Sequence, residues 1–164
     1  MPEIVSNTGP LIALASIGQF DLLRNLFGRI IVPPAVRAEV QDKTSLAALT
    51  AAKWIVVQPA QDMLAVQLLR DELDAGESEA IILARELDAD LVLIDERAAT
   101  RKARGVGLQA IGTLGVLLMA KDKGLVAVLK PLLDNLRRAG FRMSDDLYDE
   151  VLDSAGETGG STHR

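Results

Sequence analysis

The sequence predicts an α/β fold built on a parallel sheet of about five strands, covered by helices on both faces. Three observations predict it. Short β-branched runs alternate along the chain with segments of helical apolar spacing. Leu91-Val92-Leu93-Ile94 is a continuous apolar run between Asp90 and Asp95, the pattern of a strand buried on both faces. Apolar residues make up 49% of the chain and aromatics only 3%, so Val, Ile, Leu and Ala must fill the core. That composition suits layered helix and sheet. A chain of 164 residues is enough for one domain with one core.

The elements follow in order. Ile4-Val5 forms the first strand, and Ser6-Asn7-Thr8-Gly9-Pro10 reads as a cap and a helix with proline in its first turn. That helix carries Leu11, Ile12, Leu14 and Ala15; Gly18 breaks it, and Phe20, Leu22, Leu23 and Leu26 continue in a second. Ile30-Ile31-Val32 is a strand stopped by Pro33-Pro34, followed by a helix with Val36 and Val40 on one side. Residues 45–53 are helical, and Trp54-Ile55-Val56-Val57 is the third strand. A helix over 63–73 ends at Gly76, and another spans 77–87. After the strand at 91–94, a helix covers 96–104 and Leu108-Gln109-Ala110-Ile111 forms the fifth strand. Helices over 114–123, 125–138 and 145–152 complete a domain of residues 1–153. The polar, glycine-rich residues 154–164 read as a disordered tail.

Composition excludes several chemistries. Without cysteine there is no disulfide, thiol nucleophile or cysteine-ligated zinc. The only histidine, His163, lies next to the C-terminus, so a histidine base inside the fold is excluded. Catalysis must draw on carboxylates, hydroxyls, Lys, Arg, backbone groups or bound metal. No secretory signal and no membrane-length apolar run is visible, which predicts a soluble cytoplasmic protein without a membrane partner. The net charge of −5 hides an asymmetry. Ten basic and four acidic residues lie between Asp95 and Arg142, against eight and nineteen in the remainder. That split suits a polyanion tracking one face, and equally suits ordinary solvated helix faces.

In open parallel sheets, ligands bind beyond the carboxyl ends of the strands, where strand order reverses. The residues there are Asn7, after the first strand; Glu39, in the helix after the second; Glu77 and Glu79, after Gly76; and Asp95, directly after the most buried strand. Magnesium and manganese prefer such oxygen ligands. Each residue also has a plain structural role open to it. Asn7 and Asp95 can cap helices, Glu39 can be solvated, and Glu77 suits the first turn of a helix. The glycine-rich G-V-G-L-Q-A-I-G precedes a strand instead of following one, so it is not a dinucleotide fingerprint.

Four segments in this order resemble the PIN domain family. They are I-V-S-N-T-G-P-L-I-A-L, I-V-P-P-A-V-R-A-E-V with Glu39, G-E-S-E-A-I-I-L-A-R-E-L with Glu79 at the usual Asp position, and L-V-L-I-D-E-R-A-A with Asp95. The resemblance spans residues 3 to 153 and extends to A-K-D-K-G-L and A-G-F-R-M-S-D-D-L-Y, as in a prokaryotic group of PIN-like proteins. It implies a three-layer α/β/α fold and an endoribonuclease dependent on Mg2+ or Mn2+. It also implies the toxin half of a toxin–antitoxin pair, with a small antitoxin and a homodimer as partners. On this reading Glu39, Glu79 and Asp95 are catalytic, and Asn7 and Glu77 complete the metal ligands. Thr8, with Arg97, Arg101, Lys102 and Arg104 after Asp95, is placed on the RNA backbone. Thr113 is read as a turn or cap residue.

One departure carries weight. Where PIN nucleases usually have Asp after the first strand, this chain has Asn7, whose amide oxygen can ligate a metal but brings no charge. The alternative function is therefore a catalytically weakened PIN-like protein that binds RNA or regulates a partner. Leu129, Leu132, Leu133 and Leu136 form a stripe that suits the core, a dimer or an antitoxin surface.

Overall fold

The computed structural model describes residues 2–157. Five short strands form one parallel sheet: β1 (Ile4–Ser6), β2 (Ile30–Val32), β3 (Ile55–Val57), β4 (Leu91–Leu93) and β5 (Ala110–Ile111), in the order β3-β2-β1-β4-β5. The order reverses at β1, so the crevice between the carboxyl ends of β1 and β4 is the topological switch point. Register fixes what faces it. Ser6 pairs with Leu93 and Leu93 with Ile111, which brings Asn7, Asp95 and Thr113 just past three adjacent strand ends.

Alternation along the strands divides the core in two. Ile4, Ile30, Val32 and Leu93 face α1 (Thr8–Ser16), α2 (Asp21–Phe27), α3 (Pro34–Glu39), α4 (Lys43–Ala51), α8 (Thr113–Asp122), α9 (Lys130–Arg138) and α10 (Asp145–Ser154). Val5, Ile31, Val92, Ile94 and Ala110 face α5 (Met63–Leu69), α6 (Ala75–Glu86) and α7 (Arg97–Gly105). The result is the three-layer α/β/α architecture the sequence implies. Among the described residues, no helix is long and apolar enough to cross a membrane.

Three expectations change. Gly76 does not end a helix; it lies in the first turn of α6, which starts at a capping box between Asp74 and Glu77. The helix expected from Leu125 starts only at Lys130. The carboxylate of Glu157 accepts from the backbone N–H groups of Leu129 (2.7 Å) and Lys130 (3.1 Å), and pairs with Lys121. The tail therefore does not begin at residue 154: Ser154 ends α10 and Glu157 caps α9, while residues 158–164 of that expected tail lie outside the described residues. Of the uses open to the leucine stripe, the core is the one observed: Leu129, Leu132, Leu133 and Leu136 are all buried within the chain.

Candidate active site at the carboxyl edge of the sheet

Asn7 stands at the N-cap of α1 but makes no capping hydrogen bond. It is 5% exposed, and its Oδ1 is buried without a hydrogen-bond donor. A buried acceptor left without a donor is costly, of order 1–3 kcal/mol. The simple capping role is therefore not what holds Asn7 in place.

Asp95 is gripped by the start of α8. Its Oδ1 accepts from the backbone N–H of Thr113 (2.7 Å), and its Oδ2 accepts from the Thr113 hydroxyl (2.7 Å). The N-cap of α7 is Glu96, so Asp95 does not cap that helix. Gly112 makes room for the grip, since a Cβ there would stand 2.5 Å from Oδ1. Thr113 is fully buried and serves as the clamp on Asp95, a role beyond a turn or cap. Burial pushes the Asp95 carboxyl above its usual range; the Thr113 bonds oppose the rise and the charge of Glu96 adds to it.

Glu39, at the last position of α3, is not a solvated helix residue. Its Oε1 accepts from the Thr8 hydroxyl (2.6 Å), and its Oε2 accepts from the N–H of Gly76 (3.0 Å) in the first turn of α6. Thr8 thus serves Glu39. One turn further along α6, Glu79 Oε1 accepts from the N–H of Ala35, in the first turn of α3 (3.2 Å). The two helices thereby exchange carboxylates, each filling open donors at the start of the other.

Glu77 is 7% exposed and completes the capping box of α6. Burial pushes its carboxyl up; the backbone bond of Asp74 opposes this, and the charges of Asp74, Glu96 and Glu39 raise it further. Glu77 therefore shares a field with Glu39 and Glu96, and Glu96 with Asp95. Glu96 is the acid that sequence reasoning missed. The signal was present, because a residue beside Asp95 at a strand end faces the same crevice. Among the described residues, none of Glu39, Glu77, Glu79, Asp95 and Glu96 has an ion-pair partner.

All of the predicted carboxylates lie at the carboxyl edge of the sheet, yet they do not close into a cage. Among the described residues, no group of three or more acids meets at metal-binding distance. Glu39, Glu79 and Asp95 each direct oxygens at donors of the chain. A carboxylate retains further lone pairs after such bonds, and among the described residues Asn7 Oδ1 has no donor. The donor set is made of hard oxygens, and it fits a divalent cation.

The basic residues after Asp95 differ in their surroundings. Lys102 pairs with Glu72 (3.1 Å), and Arg104 donates to the carbonyl of Ala110 (3.0 Å). Arg101 lines a hollow with Glu72 and Lys102, and Arg97 is exposed at the start of α7.

A family model, DUF3368, a PIN domain, matches residues 3–157, nearly the whole described chain. The chain belongs to the PIN domain family. Its sheet order and covering helices are those of a PIN domain, a nuclease-type fold. A solved structure, a PilT N-terminus domain protein from the hyperthermophilic archaeon Sulfolobus solfataricus P2, is similar to this PIN chain at 18% identity, with a TM-score of 0.43. The match covers 71% of this chain and 92% of that one. No curated protein matches the chain.

Proposed function

We propose that the crevice at Asn7 and Asp95 is the active site of a divalent-metal-dependent endoribonuclease. The observation that carries the reading is the charge at the switch point. Glu39, Glu77, Asp95 and Glu96 share it without a basic partner among the described residues, beside the donorless oxygen of Asn7. Like charges in one crevice oppose each other, and a cation relieves that opposition.

Asn7, Glu39, Glu77 and Asp95 would hold the ion, with Glu96 at the rim; when bound, Mg2+ or Mn2+ supplies an activated water and charge for the phosphate. The chain's own residues do the rest. Thr113 fixes the rotation of the Asp95 carboxylate, and Thr8 with the Gly76 N–H fixes that of Glu39. Orientation fixed before the substrate arrives lowers the cost of reaction. Glu79 supports the site from outside by holding α3 against α6.

As a toxin half of a toxin–antitoxin pair, the protein would act in the cytoplasm on cellular RNA, with a small antitoxin and a second copy as partners. The second reading is a weakened PIN protein that binds RNA or regulates a partner, and the amide at position 7 favours it, because the site is one charge short. Incubating the native chain and Asp95→Asn with single-stranded RNA and manganese separates the two. Slow cleavage lost in Asp95→Asn supports the nuclease. RNA binding without metal-dependent cleavage supports the second reading.

A further inference from the structure

We propose that the cleft beside Asp95 seats one unpaired nucleotide of an RNA strand, with Arg142 on its phosphate and Phe141 against its base. This rests on the nuclease reading and adds where the strand lies and which side chains hold it.

The cleft has a volume of about 500 Å3. Gly9 and Ile12 come from α1, Asp95 and Glu96 from the end of β4, and Phe141 and Arg142 from the turn after α9. A strand whose phosphate reaches Asp95 therefore has room for a neighbouring nucleotide in continuous contact with the site. A phosphate beside so many carboxylates needs a cation. Among the described residues, Arg142 is the one basic residue lining the cleft; it is exposed and takes no part in an ion pair. Of the α7 cations, Lys102 and Arg104 are engaged elsewhere, Arg101 lines a different hollow, and Arg97, exposed at the helix start, is not among the residues that line the cleft.

The turn that presents Arg142 is held by hydrogen bonds on both sides. Gly140 adopts φ +101°, its N–H donates to the Arg137 carbonyl (3.0 Å), and the Phe141 N–H donates to the Leu136 carbonyl (2.9 Å). That pattern is a Schellman closure of α9. The Arg137 guanidinium then bonds the Met143 carbonyl and Asp145, fixing the far side of the turn. Phe141 is half-buried and packs on the core, so its ring is held before a base arrives. Stacking on an aromatic ring requires a base free of its Watson–Crick partner, which excludes a regular duplex.

The test uses the full chain, a fluorescent 2′-O-methyl single strand that resists cleavage, and an unmodified strand for kinetics. Arg142→Ala should weaken binding about tenfold and flatten its salt dependence by about one phosphate contact, raising KM more than it lowers kcat. Arg142→Lys should restore most of the salt dependence, and Arg24→Ala, on α2 and outside the cleft lining, should match the native chain. Phe141→Leu, which keeps an apolar side chain in the core, should weaken binding about fivefold or more. If the native chain cleaves RNA but Arg142→Ala binds as tightly as Arg24→Ala, the cleft assignment is overturned and the nuclease reading stands. Duplex bound as tightly as single strand overturns it as well. A native chain that neither binds nor cleaves RNA overturns both.

Discussion

The Glu39 carboxylate occupies the space that a side chain at Gly76 would need. A Cβ on residue 76 would fall within 2.8 Å of Oε2 and closer still to Oε1, while the Gly76 N–H donates to that same carboxylate. Glycine in a first helical turn costs stability relative to alanine, and here that cost is offset by the approach of an acid from α3.

Gly76→Ala therefore has an informative sign. In an open first turn it would stabilise the chain by up to about 1 kcal/mol. Here it must displace Glu39 from both donors, and the expected result is a loss of about 1–3 kcal/mol in urea denaturation. A stabilised variant would mean that the carboxylate can step aside freely.

Charge-removing variants separate the two acids of α6. Gln can still accept the hydrogen bonds made by Glu77 and Glu79, so each substitution removes charge with little loss of local structure. Glu77→Gln should weaken manganese binding about tenfold, since Glu77 shares the field of Glu39 and Glu96. Glu79→Gln should leave it within about twofold of native. Calorimetric titration reads both, and the reverse ranking would return Glu79 to the ligand set.

The raised carboxyls set a pH dependence in metal-free protein. Asp95 and Glu77 are pushed above their ordinary values of 3.8 and 4.5, so the native state holds those protons more tightly than the unfolded chain. Their contribution to stability is greatest below the ordinary values and falls as pH rises through the raised ones. Asn at position 95 imitates the protonated acid. The stability of native protein minus that of Asp95→Asn should therefore decline with rising pH across that window. A difference that grows with pH would contradict the burial of Asp95.

At the other end of the chain, Glu157→Ala should cost about 1–2 kcal/mol, because it uncaps α9 and releases Lys121. Removing everything after residue 153 should cost at least as much by thermal denaturation. Unchanged stability in both would show that the clasp does not contribute.

The sheet was legible because buried parallel strands are short apolar runs at regular spacing, and Leu91–Leu93 shows the pattern plainly. The switch-point rule then pointed to Asn7, Glu39 and Asp95 without any knowledge of contacts. What sequence could not show were contacts between segments far apart in the chain. Spacing along α6 does not reveal that the Ala35 N–H donates to one oxygen of Glu79. Glu96 was passed over because exposure at a helix start is the commonest place for an acid. Glu157 read as tail because its partners, Leu129 and Lys130, lie about thirty residues earlier. The basic residues of α7 looked free for RNA, and only the fold shows Glu72 beside Lys102.

The account turns on position 7, where an amide oxygen at the end of β1 is buried without a donor among the described residues. The most direct measurement is calorimetric manganese titration of the native chain, Asn7→Asp and Asp95→Asn. Asp has nearly the shape of Asn, and Asn7 makes no capping hydrogen bond to lose, so Asn7→Asp chiefly adds one charge at the start of α1. Weak binding by the native chain, at least about tenfold tighter binding by Asn7→Asp and none by Asp95→Asn is the predicted result. Equal affinity in native and Asn7→Asp protein would contradict a metal site at this crevice that lacks one charge.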